Sequence, residues 1–508
     1  MSTEVEAAVG RILLQQQQQT GAAVRDLLNA TEVDGETPLV AACRHGRDAL
    51  VIALLELGAD ADAATLYRNT TPLFVAAQEG HASIVEKLLA FGAHVPIQSL
   101  SETFNTPLFT AAERGHTSVL PALIKHGVDV NGEDRRGYAP LMMATSGGHT
   151  GFVVELLANG ADPDVVACDE EGWSALHIAA RLGLVDVVAE LVRRGAHIDL
   201  RSGNTGYSPR EETALHTAVA AKQAEVVTKL LELGADANAR DALHETPLHI
   251  ASSYGYTDLA VLLIEHGADV NARNYYDNTP LHAAARVEVA DTAMELLARG
   301  ADPNARNFNG ATPLYSAVGL TSTSVLHELL AHGARLDAVT IAGETLLHVA
   351  AGRGSLDIVT GLLDLGLSVD AVTAAGVTAL RIAVEDGNDS FVNELLRRGA
   401  DVNIASRTDG QTALHLAALL DQSQRNGSGE DNVRVLLAAG ALVDATNSLG
   451  QTPLHVTAAI AYKENIEMLL AYGGETALQI AVLGGSTDAV DILSAFASVG
   501  RDDEATTM

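Results

Sequence analysis

One four-residue opening recurs fourteen times along this chain, and no other feature limits the fold as tightly. It reads TPLV at 37, TPLF at 71 and 106, APLM at 139, SALH at 174, TALH at 213, and TPLH at 246 and 279. It continues with TPLY at 312, TLLH at 345, TALR at 378, TALH at 412, TPLH at 452 and TALQ at 476. The commonest step is 33 residues. A period of that length points to stacked supersecondary units rather than one globular core, because each unit leaves apolar faces that only its neighbours can cover.

The chemistry of the unit follows from its residue types. Thr in the first slot is an N-cap whose hydroxyl accepts a helix N–H, and Pro in the second sits at the first helical position, where its missing donor costs nothing. Leu fills the third slot every time, followed by small pairs such as Ala41–Ala42 and Ala76–Ala77 that let a short helix press on its neighbours. A glycine break, as at Gly80, Gly115 and Gly148, turns the chain into a second helix carrying Leu54–Leu55 or Leu88–Leu89. Thirteen units close that helix with glycine, from Gly58 through Gly473, where a left-handed cap favours a residue without Cβ. Then comes Ala-Asp-x-Asn or a variant, as in Ala268-Asp269-Val270-Asn271, whose Asx side chains bond local backbone and shape a hairpin-like finger.

Period and opening together resemble the ankyrin repeat, and the resemblance covers residues ~30 to ~495. It implies an all-α solenoid of stacked helix-turn-helix units with hairpin-like fingers. Residues 1–30 read as a degenerate capping pair with apolar positions such as Val9, Ile12, Leu13 and Leu27, residues 31–495 as the array, and 496–508 as a tail. The resemblance further implies a non-catalytic scaffold or adaptor that binds protein on a concave face and at finger tips. It also implies a second role as a substrate of asparaginyl hydroxylation, with Asn131, Asn238, Asn271, Asn304 and Asn403 in the matching finger slot.

Aromatics are only 4% of the chain, so the core is built from small and aliphatic side chains. The net charge of −33, from 65 acidic against 32 basic residues, repels nucleic-acid phosphates and anionic membranes and attracts a basic partner surface. No stretch is apolar enough to insert in a membrane, and the acidic N-terminus lacks the pattern of a secretory signal. The two cysteines, Cys43 and Cys168, lie about four repeats apart, tens of Å at the spacing of packed helices, and cannot pair. A reducing compartment, the cytoplasm or the nucleus, fits this usage.

Eighteen histidines invite a metal or catalytic reading, yet fifteen fall in recurring slots of the repeat. His177, His216, His249, His282, His348, His415 and His455 are the fourth residue of the opening, where an imidazole can bond across the repeat. No phosphate-binding loop, C-x-x-C, H-E-x-x-H or G-x-S-x-G occurs, and the segments outside the repeats are too short for a catalytic domain of ~50 to 100 residues. Neither enzyme activity, metal nor cofactor is expected.

Aromatics stand out where the fold asks for turn formers. Tyr275 and Tyr276 fall at a finger tip, Tyr254 in the variable pair ending its first helix, and Phe308 at the next finger, so these four are the expected partner-binding residues, with Trp173 second. Tyr256 and Tyr315 stand in slots that otherwise hold His. Two insertions, Leu200–Pro209 and Asp421–Asn432, are expected as exposed loops, the second open to proteolysis. The last step, from 452 to 476, is nine residues short, which removes one finger.

Overall fold

A computed structural model of the chain describes residues 28–472, apart from 32–34, 66–69, 96–105, 135, 170, 204–209, 288–289, 319–322, 354–355, 420–431 and 461–462. The expected N-terminal cap up to residue 27, nearly all of the second insertion, the shortened last junction, the fourteenth repeat and the tail lie outside the described residues. Within them are twenty-six α-helices in thirteen pairs, with no strand and only three isolated antiparallel bridges. The chain is all-α, as the repeat chemistry requires. It divides into two compact units, one running to Ala251 and including Val261–Asp269, the other comprising Ser252–Ala260 and the chain from Val270.

In the first unit the helix Pro38–Arg44 starts at Thr37, whose Oγ1 accepts the Val40 N–H, and Pro38 follows at the first helical position. Thr71 and Thr106 cap the helices Pro72–Gln78 and Pro107–Arg114 in the same way. Each first helix packs on the next, and the second helices Asp48–Glu56 and Ala82–Ala90 pack on each other behind them. The third-slot leucines Leu39, Leu73, Leu108, Leu141, Leu176 and Leu215 are all buried, and the largest fully buried side chain is Phe152. That core is lined by Leu, Val and Ala rather than rings, which suits close helix approach.

In the second unit Leu281, Leu314, Leu347, Leu380, Leu414 and Leu454 repeat the same buried row. The first helices Leu346–Arg353, Ala379–Glu385, Ala413–Leu419 and Pro453–Ile460 stack in sequence.

Two glycine slots differ in cause. The slot closing each second helix has φ near +90°, as at Gly234 (+94°), yet an added Cβ there would meet nothing within 4 Å, so the backbone conformation alone selects glycine. At the mid-repeat slot space also matters: a Cβ on Gly115 would lie 2.4 Å from His149 Nδ1 of the next repeat.

The fourth slot of the opening is the main polar link between repeats. In the first unit His216 Nδ1 receives the Thr213 N–H (3.2 Å) and the Thr213 hydroxyl (2.8 Å), while its Nε2 lies 3.0 Å from the Glu245 carbonyl, the residue just before the next opening. His177 does the same with Ser174 and Glu212. In the second unit His282, His348 and His415 reach the carbonyls of Ala311, Val377 and Gln451. An Nδ1 that accepts a backbone N–H carries no proton, so Nε2 must carry it and donate; the geometry fixes one neutral tautomer. Burial pushes His177 and His216 down to about 4 accordingly.

Three segments sharpen the boundaries read from sequence. Asn29 stands eight residues before Thr37, as Asn131 stands before Ala139, and its Oδ1 accepts the Asp60 N–H at 3.1 Å. The chain before the first opening thus ends in a finger residue of the same type. In the first insertion Arg201 bridges Thr213, and the Ser202 N–H bonds the Glu212 carbonyl at 2.8 Å. These residues are paired through their backbone and Ser202 is buried, while residues 204–209, the rest of the expected loop, lie outside the described residues. Of the second insertion only Asn432 is described; it opens the helix Asn432–Ala438 and is buried too.

Candidate protein-binding surface

Fingers that open on aspartate begin with an Asx turn, as at Asp129, Asp236, Asp302 and Asp401. Asp236 Oδ1 accepts the Asn238 N–H at 2.8 Å, which closes the turn. The Asn238 amide then spans the gap with both ends, donating to Gly267 O (2.9 Å) and accepting from Asp269 N–H (2.7 Å). Asn131 bridges to Gly160 and Asp162, Asn271 to Gly300 and Asp302, Asn304 to Gly333 and Arg335, and Asn403 to Gly440 and Leu442. All five asparagines of the finger slot therefore work as clamps between repeats.

The tips are laced by backbone. The Phe308 N–H donates to Tyr276 O and the Ile341 N–H to Asn309 O, both at 2.9 Å, so three successive tips of the second unit lie side by side. Beneath them the Arg273 guanidinium donates to Arg306 O (3.0 Å), and that of Arg306 to Val339 O (2.5 Å). These tips are rigid supports, because main chain, Asx turns and a guanidinium ladder fix them on three sides.

On that support stand large apolar groups facing water. Tyr275, Tyr276, Phe308 and Ile341 are 66%, 53%, 68% and 74% exposed. Tyr275 and Tyr276 meet edge to face with ring centroids 5.3 Å apart, which fixes both rings. Tyr254, 58% exposed, stacks on Tyr256 at 5.3 Å with 15° between the planes. Sequence reasoning missed Ile341, because an isoleucine in a helical repeat reads as core. Its place one period after Phe308 is the signal that reveals it.

Tyr315, by contrast, is buried, with its hydroxyl 2.6 Å from both Ala338 O and Glu344 O. Glu344 precedes the next opening, so Tyr315 reaches the same carbonyl position that histidine reaches elsewhere. Arg381, in the same slot, reaches Gln411 O and forks onto Asp409 at 3.1 and 2.8 Å. That guanidinium holds the Asp409 carboxyl well below the usual carboxylate range. Three side-chain chemistries thus serve one carbonyl.

Trp173 lies in the first unit, half-buried, with the Arg181 guanidinium 5.0 Å from its ring centroid. Together with Arg210 and Glu212 it lines a cleft of about 380 Å³. One ring face is already taken by a cation, which leaves less free aromatic surface than at the finger tips.

Cys43 is buried and its thiol is pushed up to about 12 by desolvation, so it is inert at neutral pH; Cys168 is exposed. Among the described residues no helix is long and apolar enough to cross a membrane, and no group of three or more His, Cys, Asp or Glu could hold a metal ion.

The sequence model described as Ankyrin repeats (3 copies) matches residues 11–99, 87–167, 108–202, 148–241, 215–307 and 281–373, and that of the single Ankyrin repeat matches 375–407 and 409–448. The chain is 33% identical over 112 residues to NF-kappa-B inhibitor delta of Mus musculus, covering 22% of this chain and 32% of that protein. It is 38% identical over 88 residues to Neurogenic locus notch homolog protein 1 of Danio rerio, covering 17% and 3%. It is 34% identical over 113 residues to Alpha-latrocrustotoxin-Lt1a of Latrodectus tredecimguttatus, covering 22% and 7%. The chain thus spans less than a third of the length of these curated relatives. The family matches cover most of the chain, and caps, clamps and glycines recur slot by slot beneath them: the chain belongs to the ankyrin-repeat family.

Proposed function

We propose that this protein is a non-catalytic scaffold or adaptor that binds protein partners at its finger tips and along the adjoining first helices. The observation that carries the reading is the row Tyr275, Tyr276, Phe308 and Ile341, exposed on three adjacent tips whose backbone is locked. Rigid aromatics with little side-chain entropy to lose are the groups that dominate protein interfaces. Tyr254 extends the candidate surface, and Trp173 is the second choice. The net charge of −33 favours a partner with a basic surface, disfavours nucleic acid, and makes association salt-dependent. The buried reduced thiol suits a cytoplasmic or nuclear setting.

Cross-linking and affinity capture with mass spectrometry would identify the partner. Replacing Tyr275 and Tyr276 by Ala should then leave the far-UV spectrum and melting unchanged and weaken binding by ~2 kcal/mol or more. Unchanged affinity would move the site elsewhere.

A second role, as a substrate of asparaginyl hydroxylation, is supported by Asn238 and Asn271, which are exposed although their amides are engaged. An oxygen added at Cβ leaves both amide bonds in place. Intact mass of protein from native cells tests this, one added oxygen being expected per modified site.

A further inference from the structure

Below the tips of the second unit runs a cleft of about 710 Å³ that crosses four repeats. Arg286 stands on one repeat, Ser316 on the next, Val349 on the third and Ile382 on the fourth, with Asn309 and Glu344 contributed by the finger bases. Asn309 joins the cleft to the exposed row, since it follows Phe308 in the chain and its carbonyl accepts the Ile341 N–H. The lining of the cleft is mixed, with Ala311, Val349 and Ile382 beside the polar Thr340, Tyr315 and His348, and its two charged side chains are opposite in sign. The Arg286 guanidinium is exposed and forms no hydrogen bond or ion pair among the described residues. Glu344 is half-buried, and its carboxylate accepts only the Thr340 hydroxyl among the described residues, at 3.2 Å.

We infer that this cleft receives an extended peptide segment of a partner protein, bearing an acidic side chain that meets Arg286 and a basic one that meets Glu344. The inference rests on the protein-binding reading above and deepens it by naming the ligand's chemistry. Spacing sets the register. First helices pack roughly 10 Å apart, so Arg286 and Glu344, two repeats apart, are separated by ~20 Å. An extended chain advances ~3.3 Å per residue, which places the two charges about six positions apart. Val349 and Ile382 continue the floor beyond Glu344, so an apolar side chain follows the basic one, and the whole segment is about nine residues long. Charge of both signs at fixed separation selects the direction of the bound chain as well as its composition.

The test uses the full chain and a phage library of random twelve-residue peptides, with the best peptide synthesised, labelled and titrated by fluorescence anisotropy. Selected peptides should carry an acid and a base about six positions apart. Arg286→Glu and Glu344→Lys should each weaken binding at least tenfold. The double variant should prefer a peptide with its two charges exchanged, a gain that a misfolded protein cannot give. No selected binder, a binder indifferent to both substitutions, or no preference for the exchanged peptide would overturn the inference. Titrating the Tyr275→Ala/Tyr276→Ala variant separates the two readings. Loss there alone keeps the finger-tip surface and removes the cleft, whereas loss only on changing Arg286 or Glu344 keeps the cleft and removes the tips.

Discussion

Protonating His177 or His216 would place a hydrogen on Nδ1, the atom that already accepts the N–H of Ser174 or Thr213. The cap depends on the neutral ring, whereas the Nε2–H that reaches the next repeat's carbonyl is present in either form. With folded values of about 4 against ~6.5 for an unperturbed imidazole, these rings stabilise the fold fully above pH ~6.5. That contribution is lost as pH falls toward and through 4, and amounts to roughly 3 kcal/mol for each ring. His348, His415 and His455 are shifted in the same direction, so the effect is shared along the array. Urea titrations followed by circular dichroism should show the midpoint dropping between pH 7 and pH 4. A His177→Gln/His216→Gln variant should be less stable at pH 7 and flatter across that range. A midpoint independent of pH would contradict the tautomer assigned to the fourth slot.

At the scale of the element, the two glycine slots predict different penalties. Gly234→Ala should cost ~1–2 kcal/mol, the price of a left-handed backbone for a residue with Cβ. Gly115→Ala should cost more, because the methyl also displaces His149, whose Nε2 lies 2.8 Å from Glu113 O. Lys222 holds the mid-repeat slot of its own repeat at φ +57° without being glycine. Lys222→Gly should therefore stabilise by ~0.5–1 kcal/mol, contrary to the usual effect of adding glycine. Thermal unfolding of the three variants under one condition gives the ranking. Most of this level was legible in the sequence, since caps, breaks and apolar rows are local chemistry repeated in register. The clamps were not. That Asn238 spends both ends of its amide on the following repeat, or that Tyr315 and Arg381 replace histidine at one carbonyl position, depends on inter-repeat distance, which no single repeat encodes. Tyr275 and Tyr276 were legible as a surface because a turn position has no core to enter. Ile341 was not, because its residue type argues for burial, and only the register of its finger argues against it.

For the whole chain, every clamp and lace described reaches the adjacent repeat and no farther. Stability is therefore expected to be distributed, with each interface contributing its own share. Amide hydrogen exchange resolved by peptide should show protection that varies from repeat to repeat within each unit; one uniform protection factor from residue 28 to residue 472 would rule this out. The same nearest-neighbour wiring has a mechanical consequence. A tensile load applied to the two termini meets the interfaces in series, so the weakest yields first and the remainder stay intact. Single-molecule stretching should then give a sequence of small rips, each releasing about 33 residues or ~12 nm of contour length at the extended spacing of the chain, in the manner of a spring that lengthens coil by coil.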